Sequence, residues 1–156
     1  MRKHKRLMLI GRSEAGKTTL TQALRQKPIE YEKTQAISMD DLLIDTPGEY
    51  IQTKNFGTAL AIYSYEADVI GLLLSATEPY SLYSPNITCM TTKEVIGIIT
   101  KVDHKNANVH NAENWLRLAG CKKIFKVNSL ANQGIDEIKA YLGWPETKTN
   151  KNKEKN

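Results

Sequence analysis

The eight residues at positions 11–18 constrain the fold of this chain more than any other segment. They read GRSEAGKT, match the pattern G-x-x-x-x-G-K-[ST], and directly follow the apolar run LMLI. A glycine-bounded turn between a strand and a helix lets backbone N–H groups and the helix N-terminus surround phosphate groups. In this pattern the lysine supplies a cation to the β- and γ-phosphates, and the threonine hydroxyl reaches Mg²⁺. The alternative interpretation is a flexible glycine turn without a ligand. The residues predicted to bind phosphate are Gly11, Glu14, Ala15, Gly16, Lys17 and Thr18.

Apolar runs alternate with segments of helical spacing along the chain. Short continuous apolar runs are typical of strands covered on both faces, as in a parallel sheet. Apolar residues three and four apart indicate helices. The runs occupy 7–10, 42–44, 69–74, 95–99 and 124–127, and the helical segments 17–25, 58–67, 109–119 and 135–142. This alternation predicts an α/β fold, a doubly wound α/β/α sandwich of three layers with a mostly parallel sheet. Two prolines within residues 75–92 predict a long loop there, with room for a short helix.

The basic charge of the chain is concentrated at its two ends. The 156 residues carry a net charge of +5, but residues 1–6 hold four Lys or Arg and residues 147–156 hold four Lys and one Glu. The body between them therefore has a slight acidic excess, which argues against a nucleic-acid-binding face. We expect one nucleotide-binding domain over residues 1–146 and a disordered Lys/Asn-rich tail over 147–156. That tail is either a solvated segment or a docking arm.

Neither a membrane span nor a secretion signal is predicted. No apolar stretch approaches the roughly 20 residues that cross a bilayer. The basic start is followed by only four apolar residues, which are too few for a signal peptide. We therefore expect a cytoplasmic protein without a transmembrane segment. Cys89 and Cys121 are too few for a disulfide framework or a four-cysteine zinc site.

The sequence Asp45-Thr46-Pro47-Gly48 follows the second apolar run. In a phosphate-binding α/β protein, a carboxylate at the end of a neighbouring strand holds magnesium, usually through water. Asp45 is therefore a predicted metal ligand, and the Gly48 N–H is predicted to meet the γ-phosphate. Without that context the same four residues are an ordinary turn.

Two further polar motifs follow the fourth and fifth apolar runs. Thr100-Lys101-Val102-Asp103 predicts base recognition, because the Asp103 carboxylate can accept two hydrogen bonds from guanine, and adenine does not offer that donor pair. Lys101 would lay its aliphatic stem along the purine face. Asn128 and Ser129 form a polar loop that offers backbone N–H groups to the base. The alternatives are that Asp103 caps a turn and that Gly134 starts the last helix.

The four motifs in this order resemble the small GTPase-like fold of P-loop NTPases over residues 6–142, which implies a Ras-like sandwich. The strings KTQA at 33–36 and DTPGEY at 45–50 are similar to the EutP/PduV family of ethanolamine and propanediol utilisation. This resemblance implies a nucleotide-binding protein of amine metabolism, encoded with bacterial microcompartment genes, and some members are assigned acetate kinase activity. It also implies that Thr34 is a switch threonine that meets Mg²⁺ and the γ-phosphate. The residues predicted to be catalytic are Lys17, Thr34 and Glu49.

Three functions remain open from the sequence. The first is a Mg²⁺-dependent GTP- or ATP-binding hydrolase of the GTPase type, with weak turnover alone because no arginine finger can be assigned in cis. The Glu49 carboxylate would repel the γ-phosphate, which also favours slow hydrolysis, and the Glu14 carboxylate is repulsive unless it turns outward or holds a cation. The second is an acetate kinase, for which Arg12 is the nearest cation by sequence to an acceptor. The third is a non-catalytic module that binds microcompartment shell or enzyme proteins, and self-association is compatible with all three.

Overall fold

A parallel sheet forms the centre of the molecule. The computed structural model describes residues 4–12, 15–25, 42–45, 60–61, 64–81 and 83–144. Its elements are β1 (Leu7–Ile10), α1 (Lys17–Leu24), β2 (Leu43–Asp45), β3 (Val69–Ser75), β4 (Glu94–Thr100), α2 (Val109–Ala119), β5 (Lys123–Lys126) and α3 (Ile135–Leu142). Within these residues the sheet has five strands, all paired in parallel, in the order β2-β1-β3-β4-β5. Each strand lies on one of the predicted apolar runs, with ends that differ by at most one residue.

The inner strands are apolar because helices cover both faces of the sheet. Every residue of β1 and β3 is buried. The register places the Cα of Leu7 between those of Leu43 and Val69 on the two neighbouring strands. The outer strand β5 is instead exposed at both ends, at Lys123 and Lys126, and buried only at Phe125.

The apolar side chains divide into two clusters, one on each face of the sheet. On one face, α1 and α3 pack against the sheet through residues that include Leu20, Leu24 and Ile138. On the other face, α2 packs through Ala112, Leu116 and Ala119. The result is a three-layer α/β/α sandwich with a P-loop NTPase-like arrangement, which confirms the predicted fold class.

The segments predicted outside the sheet agree with the structure to different degrees. The loop predicted over 75–92 contains a 3-10 helix at Ile87–Met90. The predicted helix over 58–67 is only partly covered by the described residues, which include a 3-10 helix at Ser64–Glu66. Two residues after this 3-10 helix, the Asp68 carboxylate accepts a hydrogen bond from the backbone N–H of Arg6 at 2.8 Å. Asp68 directly precedes β3. The KTQA string at 33–36 and the predicted tail 147–156 lie outside the described residues. Among the described helices none has the length and apolarity to cross a membrane.

Candidate phosphate and base site

The described residues of four predicted motifs lie at the carboxyl edge of the sheet. Gly11 directly follows β1, Asp45 ends β2, Lys101 follows β4 and Asn128 comes two residues after β5. In parallel α/β sheets, ligands bind in the crevice outside the carboxyl ends of the strands. The topology therefore brings four separated sequence motifs to one edge of the molecule.

The two glycines of the phosphate loop are required for different reasons. Gly11 is buried against β3, where a Cβ would lie 2.9 Å from the Cβ of Leu73. Gly16 has a φ of 87°, a left-handed conformation that side chains disfavour, and it immediately precedes α1. The first turn of α1 contains no acidic residue, so its positive dipole end is not offset by its own side chains. Lys17 is 8% exposed and Thr18 is exposed at this helix start.

Thr100 connects the phosphate loop to the end of β4. Its side chain is buried, and its hydroxyl donates to the Ala15 carbonyl at 2.5 Å. The hydroxyl proton of Thr100, a residue predicted to bind the base, is thus used in a hydrogen bond within the protein. This bond ties the end of β4 to the phosphate loop, and Thr100 also lines the cavity beside it.

One cavity joins the phosphate loop to the base motifs. It has a volume of about 270 Å³, just below the usual range for ligand pockets. All five predicted base-binding residues line it, together with the start of α1. The lining residues are Gly16, Thr19, Thr100, Lys101, Asp103, His104, Asn128, Ser129 and Leu130.

The Asn128 side chain shapes the loop after β5. Its Oδ1 accepts from the backbone N–H of Ala131 at 3.3 Å, and its backbone exchanges two hydrogen bonds with Gln133 at 3.0 and 2.9 Å. This closed turn leaves Ser129 half-buried at the cavity wall. Asn128 therefore shapes this loop, and both Asn128 and Ser129 line the cavity.

Three cavity residues were not anticipated from the sequence. His104 and Leu130 directly follow the predicted residues Asp103 and Ser129, and Thr19 follows Thr18. Leu130 is 91% exposed, which is unusual for a leucine in an otherwise polar loop. The Nδ1 atom of His104 accepts from the Asn106 backbone N–H at 3.1 Å, so the neutral ring carries its proton on Nε2. The only sequence signal for these three residues was that each directly follows a residue predicted to bind the ligand.

The Tyr83 side chain joins β1 and β3 near the start of the phosphate loop. Its hydroxyl donates to the carbonyls of Ile10 at 3.1 Å and Leu73 at 2.7 Å. Burial, reinforced by Cys121 and partly offset by the bond to Leu73, raises the pKa of Tyr83 far above its usual range. The hydroxyl therefore stays protonated, and it fixes the strand end from which Gly11 departs.

Some predicted site residues fall outside the described part of the chain. They are Glu14, Thr34, Gly48, Glu49 and the side chain of Asp45. Of Asp45 the structure describes the backbone, whose Cα is paired with that of Leu9 on β1.

Known proteins resemble this chain along almost its whole length. Residues 4–144 match the PduV-EutP family, described as ethanolamine utilisation and propanediol utilisation. The propanediol utilization protein PduV of Citrobacter freundii is 42% identical over 144 residues, covering 92% of this chain and 96% of the relative. The probable acetate kinases EutP of Escherichia coli K12 and Salmonella typhimurium are 31% and 32% identical over 141 residues, covering 88% of this chain and 89% of each relative.

Proposed function

This chain belongs to the PduV-EutP family of ethanolamine and propanediol utilisation, and we propose that it is a magnesium-dependent purine-nucleotide-binding protein of the GTPase type. The family membership supports a role in the use of these two substrates. The nucleotide, the metal and the residues that hold them are the proposal.

The shared cavity carries this proposal. Gly16 and Thr19 of the phosphate loop and first helical turn line the same space as Lys101, Asp103 and Ser129. A ligand that fills this space meets a helix N-terminus on one side and a carboxylate on the other. A purine nucleotide has the matching chemistry, because its phosphates are anionic and its base carries hydrogen-bond donors.

The donor set proposed for the metal fits Mg²⁺. A threonine hydroxyl and carboxylate oxygens are hard ligands of the kind that Mg²⁺ takes beside phosphate. Thr18 lies in the first turn of α1, and Asp45 lies at the carboxyl end of the strand next to β1. We assign Thr18, Thr34 and Asp45 as the groups that hold it. When bound, Mg²⁺ neutralises charge on the β- and γ-phosphates.

The protein's own groups would do the remaining work. Lys17 binds the β- and γ-oxygens, the loop N–H groups hold the phosphates, and Gly48 places an N–H at the γ-phosphate. Glu49 is assigned to the attacking water, where its carboxylate can accept a proton. Asp103 selects guanine over adenine by accepting from the base.

Nucleotide titration tests the proposal. Purified protein is titrated calorimetrically with GDP, GTP, ADP and ATP, each with and without Mg²⁺. We expect binding of guanine nucleotides in the micromolar range or tighter, strengthened by Mg²⁺, and a loss of at least about tenfold in Lys17→Ala. Lys122→Ala, which removes an exposed lysine after α2, is the matched control and is expected to bind normally. Absence of nucleotide binding in the folded wild type contradicts the proposal.

A separate variant tests the role of Asp103. An amide in Asp103→Asn donates to the carbonyl that xanthine carries where guanine has its amine. We expect this variant to lose GTP affinity and to gain affinity for xanthosine triphosphate. A variant that weakens GTP and ATP equally, without gaining xanthosine triphosphate, shows that Asp103 does not read the base.

The printed names of two relatives favour acetate kinase as a second candidate. In this reaction an acetate oxygen attacks the γ-phosphorus of ATP, the bond to the β-γ bridging oxygen breaks, and acetyl phosphate and ADP result. Acetyl phosphate trapped as its hydroxamate, with Lys17→Ala purified in parallel to exclude a contaminating kinase, tests it. Equal product from wild type and Lys17→Ala, or none from either, removes this candidate.

The third candidate is a cytoplasmic interaction module on a microcompartment, with nucleotide as ligand only. The family's place in ethanolamine and propanediol utilisation supports this setting. A Lys17→Ala chain that still localises and functions in cells favours the module over both enzymatic candidates. Loss of function with intact localisation favours the nucleotide chemistry.

A further inference from the structure

Arg12, inside the phosphate loop, makes an ion pair across to the loop that follows β3. Its Nη1 lies 3.1 Å from Oε2 of Glu78, and the side chains are 28% and 12% exposed. The guanidinium Cζ also lies 5.6 Å from the centre of the Tyr80 ring, within the range of a cation–π contact. The pair is thus partly sheltered, unlike the exposed lysines elsewhere on the surface.

Hydrogen bonds close this contact into a ring. Glu78 donates its N–H to the Ser75 carbonyl at 3.1 Å, and Ala76 donates to the Thr100 carbonyl at 2.9 Å. The Thr100 hydroxyl donates to the Ala15 carbonyl at 2.5 Å. Ala15 in turn donates its N–H to the Arg12 carbonyl at 3.0 Å. The path therefore leaves the phosphate loop at one end and returns to it at the other.

This ring fixes the two ends of the phosphate loop relative to each other and to the end of β4. Arg12 holds the entry and Thr100 holds the exit, which immediately precedes Gly16 and the helix start. A phosphate ligand requires the loop N–H groups to converge before it arrives, because ordering them on binding costs affinity. Of the side-chain contacts in this ring, the Arg12–Glu78 pair is the charged one.

We propose that Arg12 is a positioning residue, and that its ion pair with Glu78 holds the phosphate loop in the conformation that binds a nucleoside triphosphate. This inference rests on the proposed function. Arg12 then acts on phosphate affinity through the loop backbone, without serving as the cation for an acceptor carboxylate. Glu78 already contacts Nη1 of this guanidinium, so an acceptor carboxylate would compete with an internal carboxylate for its charge.

Charge variants test the pair. Glu78→Gln keeps the shape and removes the charge, Arg12→Glu reverses one partner, and Arg12→Glu/Glu78→Arg restores the pair in reverse order. Affinities for GTP and GMP are measured for each. We expect Glu78→Gln to bind GTP about fivefold more weakly and Arg12→Glu about twentyfold more weakly, with GMP affected less than twofold, since GMP makes few loop contacts. The double variant is expected to recover most of the loss.

The exposed Arg117–Glu113 pair on α2 is the matched control, with a separation of 2.8 Å. Glu113→Gln removes the ion pairs of Glu113 with Arg117 and Lys126, neither of which belongs to the ring, and is expected to leave both affinities unchanged. Equal losses for GTP and GMP, or no recovery in the double variant, overturn the proposal. So does GTP affinity that is unchanged in Arg12→Glu.

Hydrogen exchange separates failure of this inference from failure of the proposed function. In the ligand-free chain, Glu78→Gln is expected to speed exchange of the amides of Ala15 to Lys17 severalfold, while amides of β3 stay protected. If wild type binds no nucleotide, the proposed function fails. This measurement still decides whether the Arg12–Glu78 pair orders the phosphate loop. Unchanged amide exchange in the phosphate loop of Glu78→Gln overturns the inference about the ion pair.

Discussion

The two cysteine side chains have opposite environments. Cys121 is 2% exposed behind α2, whereas Cys89 is exposed on the 3-10 helix at Ile87–Met90. Burial raises the pKa of the Cys121 thiol to about 12, so roughly one molecule in ten thousand carries its thiolate at pH 8. We predict one fast-reacting thiol per native chain with a disulfide reagent at pH 8, and two after unfolding. Cys89→Ser should abolish the fast phase, and a fast phase that persists in this variant contradicts the assignment.

The Tyr83 hydroxyl makes stability depend on alkaline pH. The pKa of Tyr83 is raised in the folded chain, so only the unfolded chain ionises this group as pH passes about 10. Its contribution to stability is complete below pH 10 and falls by about 1.4 kcal/mol per pH unit above it. At pH 8 we expect Tyr83→Phe to cost about 1–2 kcal/mol, because two buried carbonyls lose their shared donor. In urea unfolding this cost should shrink between pH 10 and 11.

Tyr65→Phe serves as the control for that measurement, since the Tyr65 side chain is 85% exposed. Its unfolding free energy is expected to follow the wild type at every pH. A Tyr83→Phe cost that stays constant from pH 8 to pH 11 would mean that the hydroxyl ionises equally in the folded and unfolded chains.

At the scale of elements, the start of α3 depends on Gly134. Its φ is 80°, and a Cβ at this position would lie 2.3 Å from the backbone carbonyl oxygen of Lys126 at the end of β5. The obstacle is backbone, which cannot rotate away as a side chain could. We predict that Gly134→Ala lowers the free energy of unfolding by about 2–4 kcal/mol, from left-handed strain and this overlap together. Chemical denaturation measures it.

Gly134→Asn separates the two causes. Asparagine tolerates a left-handed backbone better than alanine but carries the same Cβ. We expect it to be nearly as unstable as Gly134→Ala, since the overlap with Lys126 remains. Near-wild-type stability in Gly134→Asn would assign the whole cost to backbone conformation.

The sequence predicted an element correctly where one physical rule determines its position. Strands such as β1 and β3 are buried on both faces, so their apolar runs gave their positions to within a residue. The role of Thr100 did not follow, because a hydroxyl that could face a base instead donates to Ala15, a partner 85 positions away. The ion pair between Arg12 and Glu78 could not be predicted from the sequence either, because its two residues are also far apart along the chain. His104 and Leu130 were missed because loop geometry, which no periodicity encodes, directs them to the cavity.

At the scale of the whole molecule, the two ends of the described chain are joined. Lys5 donates its N–H to the Leu142 carbonyl at 3.0 Å, and its own carbonyl accepts from the Trp144 indole N–H at 2.7 Å. The His4 ring contacts the Gly143 carbonyl at 2.6 Å. These contacts lie where the chain enters β1 and leaves α3. Residues 4 and 5 therefore lie beside residues 142–144.

This junction predicts where the stabilising part of the chain ends. Trp144 is 4% exposed and packs in the cluster shared with α1 and α3, so Trp144→Ala should cost about 3–5 kcal/mol through the lost packing and indole bond. Residues 147–156 contain no apolar side chain to bury, so their deletion should move the melting temperature by less than about 1 °C. Thermal unfolding of the two variants at equal ionic strength makes the comparison. A tail deletion that destabilises as much as Trp144→Ala would mean that polar or charged residues of the tail bind the folded body.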